Sequence, residues 1–278
     1  MILVFGKTGQ VALELQALAP DAVYLGRDVA DLSNPAQCRE AILAHRPTAV
    51  INAAAYTAVD KAEDEEDQAT VINAEAPAAM ADACRELGVP FVHISTDYVF
   101  DGSGEDSRVP SDPVAPANAY GRSKLAGEEA VKAAGATYAI LRTSWVFSPH
   151  GKNFAKTMIG LSDKHPELRV VDDQIGGPTP ASAIAAACLR MADTLKQRPE
   201  LSGTYHFSGT PDVSWADFAR AIFEHTPNQP TVHGIPTKDY PTPAQRPLNS
   251  RLDCSDLAKF GLERPNWESA IPAVIEGA

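Results

Sequence analysis

The chain has no long apolar run, only a few scattered cysteines and a deficit of positive charge, and each shortage removes a class of function. No stretch approaches the roughly 18 apolar residues that a membrane-spanning helix needs, and the run Met1 to Phe5 is too short for a signal peptide. Its four cysteines, Cys38, Cys84, Cys188 and Cys254, lie far apart with no Cys-x-x-Cys pair, so neither a zinc site nor a disulfide framework is signalled. They read as the reduced thiols of a cytoplasmic protein. Lys and Arg number 24 against 36 Asp and Glu, a net charge of −12. Nucleic-acid backbones are held by clustered cations, so neither nucleic acid nor membrane is an expected partner, although a few converging cations can still hold a small anion. There is no internal repeat and no low-complexity segment. What is present is an ordinary globular composition, 44% hydrophobic and 22% charged over 278 residues, long enough for one large domain or a large and a small one.

The amino terminus carries the first positive signal. Met1 to Phe5 reads as a short buried strand, Gly6-Lys-Thr-Gly9-Gln-Val-Ala12 as a glycine turn, and Val11, Leu15 and Leu18 as the apolar face of a helix. Gly6 lets the chain reverse tightly, Gly9 lets the backbone approach a pyrophosphate, and Ala12 lets helix pack on strand, while the helix start offers free N–H groups. The spacing is Gly-x-x-Gly-x-x-Ala, which departs from the Gly-x-Gly-x-x-Gly fingerprint and lacks the Gly-Lys-Ser/Thr of a P-loop.

Beyond the turn, β-rich runs alternate with helical patterns, the signature of parallel βαβ units. Strands are expected at Ile2–Phe5, Ala22–Leu25, Ala49–Asn52, Phe91–Ser95 and Tyr138–Arg142, with helices at Val11–Ala19, Pro35–His45, Asn73–Leu87 and Ala119–Ala134. The order predicts an α/β fold, a doubly wound parallel sheet of Rossmann-like type with a smaller, mixed α/β carboxyl-terminal region. After Trp145 the pattern loosens. A strand at Arg169–Asp172, a helix from Ser182 to about Leu195, a strand at Thr204–Phe207 and a helix from Trp215 to Phe223 are expected, and the proline-rich stretch from Pro227 to Pro247 reads as an extended surface loop. Trp215 and Phe218 recur at helical spacing, which by default means core.

Ligands of such sheets bind beyond the carboxyl ends of the strands, so the loops just after each strand hold the expected site. One helix near that edge holds Tyr120-Gly-Arg-Ser-Lys124. The i, i+4 spacing sets a phenol beside an ammonium, and an adjacent cation should pull the tyrosine pKa from about 10 toward neutrality, making a general acid for a carbonyl. Alone, Tyr-x-x-x-Lys also describes the solvated stripe of many surface helices. Its weight comes from the glycine turn and from the loops Asn52-Ala-Ala-Ala-Tyr56, Ser95-Thr-Asp-Tyr98 and Arg142-Thr-Ser-Trp145.

Taken with Asp173-Gln-Ile-Gly-Gly-Pro-Thr179 and Arg246-Pro-Leu-Asn-Ser-Arg-Leu-Asp253, these motifs span nearly the whole chain, which closely resembles the extended short-chain dehydrogenase/reductases and, within them, the dTDP-4-dehydrorhamnose reductase family. The resemblance implies reduction of a 4-keto sugar nucleotide by NADPH or NADH. It assigns catalysis to Thr96, Tyr120 and Lys124, with Tyr120 as proton donor. Cofactor contacts fall to Gly6, Gly9, Gln10, Val11, Asp31, Leu32, Ala53, Ala54 and Ala55, together with Tyr120 and Lys124. Substrate contacts fall to Ser95, Thr96, Val99, Phe100, Tyr120, Trp145, Gln174 and Arg246. Packing remains open for Trp145 and a surface ion pair for Arg246, while Arg27 beside Asp28 gives a mixed signal between NADPH and NADH. The implied organisation is a dinucleotide-binding domain over 1–146, with return segments near 182–208, and a mostly substrate-binding domain over 147–278. A homodimer is allowed. Glu14 matches one ligand of a magnesium site that links subunits in some members, but Ala181-Ser182 stands where a second acid is expected, so no metal is predicted. The same fold serves redox-neutral epimerases and dehydratases, and a non-catalytic regulatory subunit. The dehydratases carry Asp-Glu after the threonine, where this chain has Asp97-Tyr98.

Overall fold

A computed structural model describes residues 1–277. Five strands, β1 (Ile2–Phe5), β2 (Val23–Leu25), β3 (Ala49–Asn52), β4 (Phe91–Thr96) and β5 (Tyr138–Thr143), pair in parallel with Gly203–His206. Their spatial order is Gly203–His206, β5, β4, β3, β1, β2. Central strands are buried almost end to end, because helices cover both faces of the sheet. The chain runs one way from β1 to β2 and the other way from β1 to β3. A crevice forms at such a reversal.

Capping chemistry sets the helix boundaries. Asn34 caps α2 (Pro35–His45), with Pro35 at its first turn. Asn118 caps α5 (Ala119–Ala134), which stops at Gly135 with φ +73°. On one face of the sheet α1 (Gln10–Leu18) and α7 (Ala181–Gln197) bury Val11, Leu15, Ile184 and Met191 against Val4, Ile51, Val92 and Leu141. The other face carries α2, α4 (Ala76–Leu87) and α5 over Leu3, Phe5, Val50, Phe91 and Ile140. A third core gathers Phe147, Met158, Val170, Phe218, Ile222, Trp267 and Ile271 around α6 (Phe154–Ser162) and α8 (Trp215–Phe223). Each large apolar side chain so buried contributes about 1.5–3 kcal/mol.

Two expectations need correcting. The helix expected to start at Asn73 is entered earlier, through α3 (Glu66–Thr70) and a π turn at Val71–Glu75. That wider turn presents the Asn73 side chain to Tyr56 and Ser123 instead of continuing a regular helix. Pro227–Pro247 is not all loop: Thr231–Ile235 pairs in parallel with Glu167–Val171. Pro227, Pro230 and Pro236 flank that strand without interrupting it, and its β-branched residues suit a pleated edge. α6 had no expectation at all. It is nucleated by Asn153, whose side chain accepts a bond from the Lys156 N–H.

Candidate active site

A cleft of about 890 Å³ opens at the carboxyl ends of the strands. At one end lies the glycine turn. Gly6 has φ +113°, and a Cβ there would press within 3.3 Å of the Ala53 backbone. α1 begins after Gly9 with no side-chain cap and no acid in its first turn. An uncapped helix start with a glycine approach fits a pyrophosphate. Gln10, Val11, Asp31, Leu32, Ala53, Ala54 and Ala55 line the same end. The Ser33 backbone N–H bonded to Asp31 holds that carboxylate below its usual range against the opposing effect of burial, aided by the Ser33 side chain and Arg27. Arg27 stands 3.9 Å from Asp31, largely in solvent. The residues present fit a dinucleotide.

Mid-cleft, β4 delivers Thr96 and α5 delivers Tyr120 and Lys124. Gly121 makes that approach possible, since a Cβ there would sit 2.3 Å from the Tyr98 carbonyl oxygen. Gly127 does the same against Asn73, where the gap would be 2.0 Å. Thr96 Oγ1 donates to Asp97 at 3.1 Å and accepts from the Tyr98 N–H at 3.2 Å. Asp97 is buried with its Oδ2 unpaired, and the Ser250 hydroxyl nearby is unpaired too. Burial pushes the Asp97 carboxyl up to about 6, partly offset by the Ser250 and Thr96 hydroxyls.

The electrostatics of Tyr120 differ from expectation. Its ring keeps part of its surface open to the cleft, yet burial pushes the phenol up to about 12, with Thr96 lowering it and Asp97 raising it. Lys124 makes no hydrogen bond to it and is not among the groups that move it. Its ammonium donates to the Ile94 carbonyl at 2.7 Å, and is brought down to about 8 by burial, against the raising effect of Glu128. Proximity along the helix was outweighed by desolvation.

At the far end stands Trp145, held at φ +47° and stacked on Trp215 with ring centroids 3.6 Å apart. Both line the cleft. Gly176 gives the Trp145 ring room, for a Cβ there would meet it at 3.1 Å. Other expected substrate residues are engaged elsewhere. Val99 and Phe100 are buried in the core, where Phe100 packs under Arg142 and edge-on to His206. Ser95 reaches the cleft wall, but its hydroxyl donates to buried Glu128 at 2.7 Å. Gln174 accepts from the Trp215 indole and donates to Thr237, bracing the aromatic pair from behind. Arg246 pairs with Asp60 at 2.8 Å, the surface-pair alternative. Glu14 lies 3.3 Å from His150 of the same chain. Among the described residues, no cluster of three His, Cys, Asp or Glu converges as a metal site.

The site also contains residues that sequence reading passed over. Trp215 carried only a helical spacing and was assigned to core. Thr143, in a strand-end loop singled out above but given no role there, ends β5 with a buried hydroxyl that has no partner. Thr57, Val59 and Lys152 line the cleft from loops with no local signal.

With the cleft, glycine turn and tyrosine helix in place, comparison with known proteins is informative. Residues 1–278 match the family described as the RmlD substrate binding domain. The chain belongs to this family. An RmlD relative from Sinorhizobium fredii, named dTDP-4-dehydrorhamnose reductase, is 45% identical over 98% of this chain and 95% of its own length. One of the same name from Escherichia coli K12 is 41% identical over 99% of this chain and 96% of its own. Among solved structures, the Bacillus anthracis dTDP-4-dehydrorhamnose reductase in complex with NADP superimposes with a TM-score of 0.91 at 36% identity, covering 100% of this chain and 99% of that one. The Rossmann-like architecture is therefore shared over the whole RmlD chain.

Proposed function

We propose that the protein reduces the 4-keto group of dTDP-6-deoxy-L-lyxo-4-hexulose with NADPH or NADH to give dTDP-L-rhamnose, the last step of dTDP-rhamnose biosynthesis. The observation that carries this reading is the single cleft in which Thr96, Tyr120 and Lys124 stand between an uncapped helix start and the Trp145–Trp215 stack. Relatives at 40% identity and above that carry the reductase name support it over an epimerase or a regulatory subunit.

A dinucleotide held at the α1 end would supply a hydride to C4. Gly6, Gly9, Gln10 and Val11 would hold its pyrophosphate, and the small side chains of Ala53 to Ala55 would leave it room. Tyr120 gives its proton to the C4 oxygen as charge builds there, and Thr96 shares the stabilisation of that charge. A phenol pushed up to about 12 stays protonated through the working range and still yields its proton to a nascent alkoxide, a far stronger base. Lys124 would hold the cofactor ribose and, when charged, would favour the phenolate left on Tyr120. Trp145 offers a flat apolar face to the sugar nucleotide.

We further assign 1–146, with return segments near 182–208, to dinucleotide binding and most of 147–278 to the substrate. In keeping with that division, α7 and Gly203–His206 pack with the large sheet, whereas α6 and α8 share a separate core. We place the protein in the cytoplasm, given four unpaired cysteines and, among the described residues, no helix long and apolar enough to cross a membrane. The test is turnover: purified protein with the 4-keto sugar nucleotide should consume nicotinamide absorbance with NADPH or NADH. Retention of tightly bound NAD with formation of an epimer, and no net oxidation of either cofactor, would replace this reading with a redox-neutral one.

A further inference from the structure

Two buried polar side chains that the reaction above does not use, those of Asn52 and His93, lead to Lys124. Asn52 at the end of β3, His93 in β4 and Lys124 in α5 are all no more than 2% exposed. Asn52 Oδ1 accepts from the Ala54 N–H at 3.1 Å, which orients the amide so that its Nδ2 faces His93 Nδ1 at 3.2 Å. An amide nitrogen only donates, so Nδ1 must accept. A neutral imidazole accepting at Nδ1 carries its proton on Nε2, and Nε2 faces Lys124 Nζ at 3.4 Å. His93 is held neutral, well below its ordinary range, by burial and then by Lys124 itself.

An ammonium and an N–H facing each other both donate. The arrangement is satisfied only when Lys124 becomes an amine and accepts from His93. The other groups around the lysine are few. Glu128, one turn along α5, is committed to Arg142 of β5, to Ser95 and to Lys132. Tyr120 lies one turn back, and the Ile94 carbonyl accepts at 2.7 Å. No carboxylate bonds Nζ directly.

We propose that Asn52 and His93 are a positioning pair that, by fixing one imidazole tautomer, weakens proton binding at Lys124 and sets the alkaline limit of the reaction. The proposal rests on the reading that Lys124 serves the reductase. It predicts that the lysine changes charge within the range in which the enzyme works, so its help to Tyr120 is withdrawn as pH rises. Replacing the donor of this pair by an acceptor should reverse the effect. In Asn52→Asp one oxygen keeps the Ala54 bond and the other accepts from Nδ1–H, leaving Nε2 to accept from an ammonium.

The test uses the full chain. Nitrogen-15 NMR of labelled histidine reads the His93 tautomer in the unsubstituted protein, and the Cε shift of labelled lysine reads the Lys124 titration. We expect a proton on Nε2, a Lys124 titration well below that of ordinary lysines, and in Asn52→Asp a proton on Nδ1 with about tenfold tighter proton binding at Lys124, one pKa unit. The neutral Asn52→Ala, which frees the imidazole without adding charge, should move Lys124 the same way by a few fold, and the alkaline limb of kcat/KM should follow the lysine in each variant. A proton on Nδ1 of His93 in the unsubstituted protein overturns the proposal, and needs no variant to fold. So does a Lys124 titration that Asn52→Ala leaves in place. Lysine shifts as expected with no turnover of the keto sugar would sink the reductase reading and leave the pair standing.

Discussion

At the scale of single residues, the proposed chemistry turns on the hydroxyls of Tyr120 and Thr96, and the carboxyl of Asp97 lies beside them. Tyr120→Phe keeps the ring and its edge-on contact with Tyr98 while removing the proton. Steady-state kinetics should show kcat lowered about 10²- to 10⁴-fold with KM nearly unchanged; a variant of ordinary activity would take the proton donor away from this position. Asp97 makes a prediction about stability. Its carboxyl titrates at about 6 in the folded chain, above the ordinary value of 3.8. The neutral acid is the form the fold prefers, so its stabilisation is complete below the unfolded value and is lost as pH rises through the folded one. Roughly two pKa units amount to about 3 kcal/mol. Asn cannot ionise, so Asp97→Asn should gain stability over the parent between pH 4 and pH 8 in urea titrations. A difference that does not change with pH would show that the carboxyl is not held in this way.

At the scale of elements, α5 is the part on which the site depends. Asn118 starts it and donates to the Gln245 carbonyl, while Arg122 makes two bonds to Glu66 at 2.7 Å that fasten it to α3. Gly121 lets the first turn lie against the Tyr98 backbone. Gly121→Ala should cost about 1–3 kcal/mol by overpacking, and because the helix must back away with Tyr120 on it, kcat should fall as well. Thermal melts and kinetics on one preparation check both; a stable, fully active variant would mean that the contact can relax freely. Much of this element was legible in advance. Its bounds at Ala119 and Ala134 follow from an asparagine before it and a glycine after it, both local signals. The need for glycine at 121 and 127 was not, because what each glycine avoids is backbone from another part of the chain.

At the scale of the whole molecule, the buried pair Glu128–Arg142 joins α5 to β5. Arg142 donates to both carboxylate oxygens at 2.8 and 2.7 Å, and Ser95 adds a third bond. Burial alone would raise the Glu128 carboxyl, but the bonds and charge of Arg142 bring it below its ordinary range. Removing one partner strands the other without water, so Arg142→Met should cost about 3–5 kcal/mol in urea unfolding. Glu128→Gln in that background should recover part of the loss. If the single variant cost under about 1 kcal/mol, the pair would be no more than a solvated contact.

What the amino-acid sequence determined by itself was the run of elements in the large parallel sheet and the edge at which its strand-end loops gather. Strand and helix periods, caps and glycine stops are written within a few residues of where they act, and the parallel order places every strand-end loop on one side. Only the tertiary structure decided what the side chains there are doing. Tyr120 is pushed up, not down; Lys124 turns to Ile94 and His93; Arg246 meets Asp60 from 186 positions away; Phe100 goes to the core and Trp215 to the cleft. Desolvation and hydrogen bonding sum over every group that comes near in space, and those groups arrive from segments with no neighbouring place in the chain.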